Sequence, residues 1–245
     1  MVLLIAIAAY FIGGILKGAM GFGLPILAIP VMTVTHSLPI ALSVAILPTV
    51  LTNIAQLWSF RQHRGVPILP KFLILGAFGL CFGAVLLSRI NNAYIEIALG
   101  VMVLAYLVSR LRRAGAKRRA RPDLAPAYGF LAGVVHGSTG LSGLVGPPYM
   151  HSLNLPRPEF VFSTGSMFTL FSLMQAPVLF SLGLFHEEAL WISIVILPFA
   201  FGGLYLGGLI GARMQSDTFS HVVLGVLGVT AILPIFNGLR SLVLG

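Results

Sequence analysis

A long apolar run near the N-terminus contains residues that disfavour an unbroken membrane helix. Between Gly13 and Pro30 it carries repeated glycines, two prolines and one cation, Lys17. Every backbone N–H or C=O left unpaired in hydrocarbon costs free energy, so a break is tolerated there only where protein or a polar cavity surrounds it. We therefore predict that this stretch lines a site.

The same stretch occurs again 119 positions along the chain. The ungapped shift aligns Gly14 with Gly133, Lys17 with His136, Gly18 with Gly137, Gly21 with Gly140, Pro39 with Pro158 and Gln56 with Gln175. After a few inserted residues, Gly83 matches Gly207, Arg89 matches Arg213 and Gly100 matches Gly225. Paired interrupted segments at corresponding places in two halves are typical of a transporter binding site.

Composition decides the fold class. The chain has 245 residues, of which 58% are hydrophobic and only 9% are charged, whereas about 25% of the residues of a soluble domain are charged. Its apolar runs are long enough for membrane helices. We predict an all-α polytopic membrane protein of two homologous halves, each a Gly/Pro-broken segment plus three transmembrane helices.

The expected segments divide the chain into a first repeat (1–109), a basic linker (110–123) and a second repeat (124–245). In the first repeat we predict a broken segment or tight helical hairpin and three helices: Val2 to Val34, Ser37 to Phe60, Ile68 to Ser88 and Tyr94 to Ser109. The second repeat has the same plan: Leu124 to about Met150, Pro158 to Leu182, Ala189 to Ala212 and Phe219 to Leu239.

The relative orientation of the halves depends on the broken segments. If each crosses the membrane once, the repeats are parallel. If each doubles back, the repeats are inverted, with Arg157 and Arg213 on the cytoplasmic side and Arg240 outside. We expect inversion, because inverted repeats commonly build midplane sites from discontinuous helices.

The positive charge is concentrated in the linker. Seven of the fifteen Lys and Arg residues lie between Arg110 and Arg121. Such clusters in short loops beside membrane spans mark the cytoplasmic side, and they also attract anionic lipid headgroups. Membrane lipid is therefore an expected partner, and nucleic acid is not.

The sequence contains no recognisable motif for catalysis or metal binding. With only Cys81, an intrachain disulfide and a Cys-based metal site are excluded. No His-Glu metal motif, phosphate loop or nucleophile with a paired base occurs. We expect no enzyme activity, no cofactor and no metal.

Lys17 and His136 are the strongest candidates for binding. A cation in the bilayer is costly, so it usually faces a cavity or a partner. The structural alternatives are that Lys17 snorkels to an interface and that His136 binds a backbone carbonyl freed by the break. We expect both side chains beside one central site that favours anions, where His136 can titrate near neutral pH.

The breaks themselves offer backbone donors. A helix that restarts after a break presents unpaired N–H groups and partial positive charge to an anion. The alternative is that the glycines only allow close helix packing. The predicted anion-binding residues of the two broken segments are Gly18, Gly21, Phe22, Gly23, Gly137, Ser138, Thr139, Gly140 and Ser142.

Two further helices carry polar faces. Thr49, Asn53 and Gln56 share a face of one helix, since residues three or four positions apart are neighbours. Gln175 occupies the place of Gln56 in the second half. These side chains are predicted to line the binding site, and interhelical hydrogen bonding without a ligand is the alternative.

The two Gly-rich segments, the polar helix from Ala41 to Trp58 leading into Arg61-Gln62-His63-Arg64, and the small-residue helices resemble the TauE/SafE sulfite exporter family, also called toluene sulfonate uptake permeases. The resemblance covers nearly the whole chain. It implies a plasma-membrane secondary carrier for small sulfur-containing anions, without a cofactor. The second copy, Gly143 to Pro148, lacks the consecutive glycines often found there, which leaves the identity of the anion open.

We therefore expect a multi-pass transporter of the bacterial inner membrane that moves a small anion, sulfite or an organosulfonate such as sulfoacetate, by alternating access. An anion channel of the same fold and a membrane scaffold that transports nothing are the alternatives. A coupling proton or cation and a homo-oligomer are possible further partners. The residues do not determine the direction of transport.

Overall fold

The computed structural model describes residues 2–91 and 121–211, together with scattered positions between 93 and 108 and between 232 and 240. This part of the chain is helical, without strands. The α-helices are α1 (Val2–Met20), α2 (Leu24–Met32), α3 (Leu38–Ser59), α4 (Leu69–Arg89), α5 (Ala125–Thr139), α6 (Gly146–Ser152), α7 (Arg157–Ser181) and α8 (Glu188–Gly211). Short 3₁₀ turns occupy Arg61–His63, Pro122–Leu124 and Ser142–Leu144.

Four of these helices are long and apolar enough to cross a membrane, namely α1, α3, α4 and α8. The predicted multi-pass, all-α membrane class is therefore confirmed. Helix α7 is 25 residues long and lies outside this group. Its sequence explains this, because the helix interior carries many hydroxyl groups and one amide: Ser163, Thr164, Ser166, Thr169, Ser172 and Gln175.

Both broken segments double back on themselves. A Cβ atom placed on Gly13 of α1 would lie 2.9 Å from the carbonyl oxygen of Leu24, so the start of α2 returns alongside α1. In the second segment the Tyr149 ring of α6 stacks on Tyr128 near the start of α5, with ring centroids 4.3 Å apart. Of the two expected forms, a broken helix or a tight helical hairpin, each segment takes the hairpin.

Equivalent glycines end the first helix of each hairpin. Gly21 has φ 86° and Gly140 has φ 73°, the left-handed region in which a side chain is disfavoured. Each donates its N–H to the carbonyl of the residue four positions earlier, Lys17 and His136, at 2.7 Å in both cases. The duplication seen in the sequence thus extends to the backbone conformation.

Glycine faces hold two helix pairs at close range. In α1 with α8, Gly203 packs against the backbone of Phe11; in α4 with α5, Gly79 packs against the backbone of Phe130. Phe11 and Phe130 are equivalent under the repeat, and so are Gly203 and Gly79. Small residues allow membrane helices to interlock in this way, so each half contributes one helix to each pair.

Helices α3 and α7 place their polar faces at the centre of the molecule. Helix α3 contacts α2, α7 and α8, and α7 also contacts α4 and α6. On α3 the buried polar residues are Ser43, Thr49, Thr52, Asn53 and Gln56; on α7 they are Ser163, Thr164, Ser172 and Gln175. The polar residues of both halves are therefore enclosed by protein.

Most of the fourth helix predicted for each half, Tyr94 to Ser109 and Phe219 to Leu239, lies outside the described residues, as does most of the basic linker. The boundaries proposed for the two repeats stay predictions. The helices that the structure does describe agree with the expected segments to within about two residues at nearly every end, the usual uncertainty of a helix terminus.

Candidate functional site

Lys17 lies in the last full turn of α1 before the first break and is buried, with 1% of its surface exposed. Its ammonium group donates a hydrogen bond to Oδ1 of Asn53 on α3. The same nitrogen lies 6.0 Å from the ring centroid of Phe168 on α7. Lys17 therefore does not snorkel to an interface, and its charge is held between three helices.

Asn53 is oriented by its own helix. Its Nδ2 donates to the carbonyl oxygen of Thr49 at 2.7 Å, which leaves Oδ1 facing Lys17. On the same face, Thr49 Oγ1 and Gln56 Oε1 are buried and have no hydrogen-bond partner among the described residues. Buried polar atoms are normally paired, so these two atoms on either side of Asn53 are available to a ligand.

His136 is the counterpart of Lys17 in the second half and is also buried, with 2% exposed. Its Nδ1 lies 2.9 Å from the hydroxyl oxygen of Ser142, across the second break. Its Nε2 is buried without a partner in the described part of the chain. The ring centroids of Phe171 and Phe168 lie 5.4 and 6.4 Å from that of the imidazole.

Gln175 fixes the second break. Its Nε2 donates to the carbonyl oxygen of His136 at 3.0 Å, the same oxygen that accepts the N–H of Gly140. The equivalent Gln56 forms no such bond to Lys17. The two halves therefore differ here, because the amide of Gln175 is occupied by the backbone while the oxygen of Gln56 is unpaired.

Phe168 connects the two basic residues and was missed by the sequence analysis. Its ring lies near both Lys17 and His136, and its side chain is 1% exposed. A single buried phenylalanine gives no signal in a chain with seventeen of them. Its position within a polar helix, between Thr164 and Ser172 at helical spacing, is the one indication that the sequence contains.

The first break exposes backbone donors. The backbone N–H groups of Phe22 and Gly23 lie outside the helices and form no hydrogen bond to any described residue. Gly23 has φ 127°. The Phe22 ring is half-buried and packs edge-on against Phe160 of α7, with centroids 6.0 Å apart. Two backbone donors of this break are therefore unpaired among the described residues, and the Phe22 side chain packs against α7.

The second break differs in detail from the prediction. Ser138 and Thr139 lie in the last turn of α5, where their hydroxyls donate to the carbonyl oxygens of Val134 and Val135 at 2.8 and 2.6 Å. The helix ends at Gly140, and a 3₁₀ turn from Ser142 precedes α6. Ser142 alone of the three hydroxyls bonds to a predicted site residue, His136.

Two other predicted residues lie in the helix contacts. A Cβ atom on Gly18 would overlap the backbone of α8 at Leu204, and one on Gly137 would overlap that of α4 at Leu80. The α-carbons of both glycines therefore face a neighbouring helix rather than Asn53 or Phe168. Close packing, the alternative considered for these residues, accounts for their small size.

Arg157 approaches the first break from the start of α7. Its guanidinium donates to the carbonyl oxygen of Ala19, one residue before the end of α1, at 3.4 Å. The side chain is exposed. From the sequence alone, Arg157 indicates only the orientation of the repeats in the membrane. Its approach to the first break depends on how the helices pack.

The charge of Lys17 is not balanced by a carboxylate in the described part of the chain. The one ion pair found there joins Arg121 and Asp123 on the surface, at 2.5 Å. The hydrogen bond from Arg121 holds the pKa of Asp123 below its usual value. Within the same residues, no group of His, Cys, Asp and Glu could hold a metal ion.

Comparison with known proteins adds one match. The family model "Sulfite exporter TauE/SafE" matches residues 6–233. Neither a curated protein nor a solved structure matches the chain. The match spans both hairpins and all four long apolar helices.

Proposed function

Since the chain belongs to the TauE/SafE sulfite exporter family, a family of membrane anion exporters, we propose that it is a secondary transporter for a small anion. Sulfite or an organosulfonate such as sulfoacetate is the proposed substrate, and alternating access is the proposed mechanism. The proposed location is a bacterial plasma membrane, with no cofactor and no nucleic-acid partner. A coupling ion and a homo-oligomer remain part of this proposal.

The buried charge of Lys17 carries the proposal. Burying an ammonium group is expensive unless it is paired and hydrogen-bonded, yet Lys17 has one hydrogen bond, to a neutral amide. An oxyanion beside it would supply the missing charge and accept its remaining N–H donors. Charge-assisted bonds of this kind are about twice as strong as neutral ones, so an anion is the ligand that this site fits best.

The surroundings of Lys17 suit a small anion. The Thr49 hydroxyl can donate from one side of Asn53, while the unpaired amides of Phe22 and Gly23 lie at the end of the same hairpin. The Phe168 ring closes another side. We assign the binding site to Lys17, Thr49, Asn53, Gln56 and the first break, with His136, Ser142 and Gln175 as an adjoining group that Phe168 connects to Lys17.

An inverted arrangement of the repeats is part of the proposal. Both hairpins double back, as inversion requires. Gly165 of α7 faces Leu57 near the end of α3, whereas Ser193 in the second turn of α8, the helix that follows α7, donates to the carbonyl oxygen of Val44 near the start of α3 at 2.9 Å. Contacts of this order are expected when α3 and α7 run in opposite directions.

Such an arrangement supports alternating access. The α1–α8 and α4–α5 pairs are interlocked by backbone contacts at Gly203 and Gly79, so each pair would move as a unit. The polar faces of α3 and α7 stand between them. Rocking of one pair relative to the other would open the site first to one side and then to the other.

Ligand stabilisation tests the assignment. Purified protein would be heated with sulfite, sulfate, sulfoacetate, taurine or carboxylate analogues, because a ligand at 100 times its Kd stabilises the native state by about 2.7 kcal/mol. We expect stabilisation by at least one sulfur oxyanion, lost in Lys17→Met and retained in Lys71→Met, which removes an exposed lysine of α4. No stabilisation by any anion would contradict an anion site.

Measurements of transport and of membrane topology test the proposed carrier mechanism and the inverted repeats. Proteoliposomes should show counterflow of the stabilising anion, whereas a channel would not. Single cysteines at Arg64 and Arg157, introduced into Cys81→Ser protein, should react with an impermeant reagent from the same side. A cysteine at His186 should react from the opposite side, whereas labelling of positions 64 and 186 from one side and of position 157 from the other would indicate parallel repeats.

A further inference from the structure

His136 is a buried titratable group that the anion site leaves with a free nitrogen. If Nδ1–H donates to the Ser142 hydroxyl, 2.9 Å away, Nε2 presents an unshared electron pair. That pair has no donor in the described part of the chain. Leaving a buried acceptor unpaired is unfavourable. Nε2 is therefore the atom of His136 that can accept a hydrogen bond or a proton.

The aromatic and hydrogen-bonded neighbours of the imidazole carry no charge, and Phe168 links it to Lys17: the Phe168 ring centroid lies 6.4 Å from that of the imidazole and 6.0 Å from Nζ of Lys17. From α7 the imidazole meets Phe168, Phe171 and the Gln175 amide, whose nitrogen binds the His136 backbone. The side of α4 that meets the adjacent Gly137 offers Leu80 and Ala84. Across the second break stands Ser142. None of these neighbours is titratable near neutral pH, and Nζ of Lys17 lies 6.0 Å from the centroid of the same Phe168 ring.

This arrangement couples the proton to the anion. Without an anion, a protonated His136 would add a second positive charge to a dry region that already holds Lys17, which is unfavourable. With an anion beside Lys17 the net charge of the region falls, and the imidazolium becomes the better state. The Phe168 and Phe171 rings also attract a cation more strongly than aliphatic side chains would.

We propose that His136 is the binding site of a coupling proton, taken up on Nε2 when the anion binds and released with it on the other side. The proposal rests on the anion site described above. Only an N–H bond forms and breaks, and the proton comes from and returns to water. Transport of a monoanion with one proton moves no net charge, whereas a dianion such as sulfoacetate with one proton moves one negative charge.

Proton uptake on binding tests this directly. Detergent-solubilised protein in weakly buffered solution at pH 7.5 would receive sulfoacetate, which has no group titrating near that pH, with a pH-indicating dye. We expect proton uptake on anion binding that rises towards one proton per anion as the pH is lowered from 7.5 towards about 6, because an imidazole gains its charge over this range. His136→Gln should take up none, and His63→Gln, which removes an exposed histidine, should behave as wild type.

A second variant guards against misfolding of His136→Gln. His136→Asn places at this position a neutral amide that does not titrate and that can still form a hydrogen bond with the Ser142 hydroxyl, the partner of His136 Nδ1. It should bind sulfoacetate without proton uptake. Equal uptake by wild type and both His136 variants would overturn the proposal.

Transport gives an independent readout. In proteoliposomes, sulfoacetate flux should be driven by a pH gradient in wild type and lose that drive in His136→Asn. Anion binding without proton uptake in wild type would overturn the role of His136 and leave the anion site intact. Absence of stabilisation by sulfoacetate and by the other sulfur oxyanions would overturn the anion site and the coupling proton together.

Discussion

Lys17 of α1 donates a hydrogen bond to Asn53 of α3, a residue 36 positions away in the chain. The bond joins the end of a broken helix to the polar face of a continuous one. Asn53 is itself held by the Thr49 carbonyl, so the direction in which Lys17 points is set by α3. The unpaired amides of Phe22 and Gly23 follow Lys17 in the same hairpin, and a fixed cation together with backbone donors is what an anion site requires.

Replacing Lys17 with methionine should keep the protein folded and abolish anion binding. Methionine is similar in length and removes the cost of a buried charge, so the free energy of unfolding without ligand should rise or stay unchanged. Affinity for the stabilising anion should fall at least tenfold, about 1.4 kcal/mol. Titration of the unfolding temperature with anion measures both effects, and an unchanged affinity would remove Lys17 from the site.

Asn53→Asp should have the opposite effect on the unliganded protein. A carboxylate in place of the amide would neutralise Lys17 within the protein, so the variant should be at least as stable as wild type. It should lose stabilisation by anions, because the internal carboxylate competes with them and repels them. The control Asn53→Leu has no carboxylate and leaves Lys17 unpaired, so it should destabilise the protein while anions still stabilise it.

Several features of the fold could be predicted because they depend on backbone chemistry. Glycine at positions 21 and 140 and proline at 25 and 147 cannot continue a helix without cost, and their duplication predicts two breaks. The structure places left-handed glycines at both breaks. Burial of Lys17 could be predicted in part, because the cost of a charge in hydrocarbon is independent of the fold.

The remaining details depend on packing between distant segments. Gly18 and Gly137 looked like ligand contacts because they lie beside Lys17 and His136 in the chain, yet a helix turns successive residues to different sides and their α-carbons face α8 and α4. The position of Phe168 beside both basic residues depends on how α7 crosses α1 and α5. No local pattern contains that information.

Because α8 packs closely on α1, we expect alanine to destabilise the protein at Gly203 but not at the adjacent Gly202. In Gly203→Ala the new methyl group would overlap the carbonyl oxygen of Phe11, whereas in Gly202→Ala it would lie 3.8 Å from the ring of the same residue. Overpacking typically costs about 1–3 kcal/mol. The unfolding temperature in detergent should therefore fall in Gly203→Ala and stay within error in Gly202→Ala.

The repeat extends this prediction to the other half. Gly79 meets the carbonyl oxygen of Phe130 as Gly203 meets that of Phe11, so Gly79→Ala should be destabilised by a similar amount. If Gly79→Ala and Gly203→Ala are both as stable as Gly202→Ala, the two helix pairs are not interlocked, and the basis for treating each as a moving unit is lost.

The two equivalent glutamines should respond differently to the same substitution. Gln175 donates to the His136 carbonyl, so Gln175→Leu should lower the free energy of unfolding by about 1 kcal/mol, the net contribution of a typical hydrogen bond. In Gln56→Leu an unpaired buried oxygen disappears, so stability without ligand should be equal or higher. If Gln56 Oε1 accepts a hydrogen bond from a donor that enters with the anion, whether on the substrate or on bound water, the same variant should lose part of its stabilisation by anions. Equal losses of stability in the two unliganded variants would show that the asymmetry between the halves does not exist.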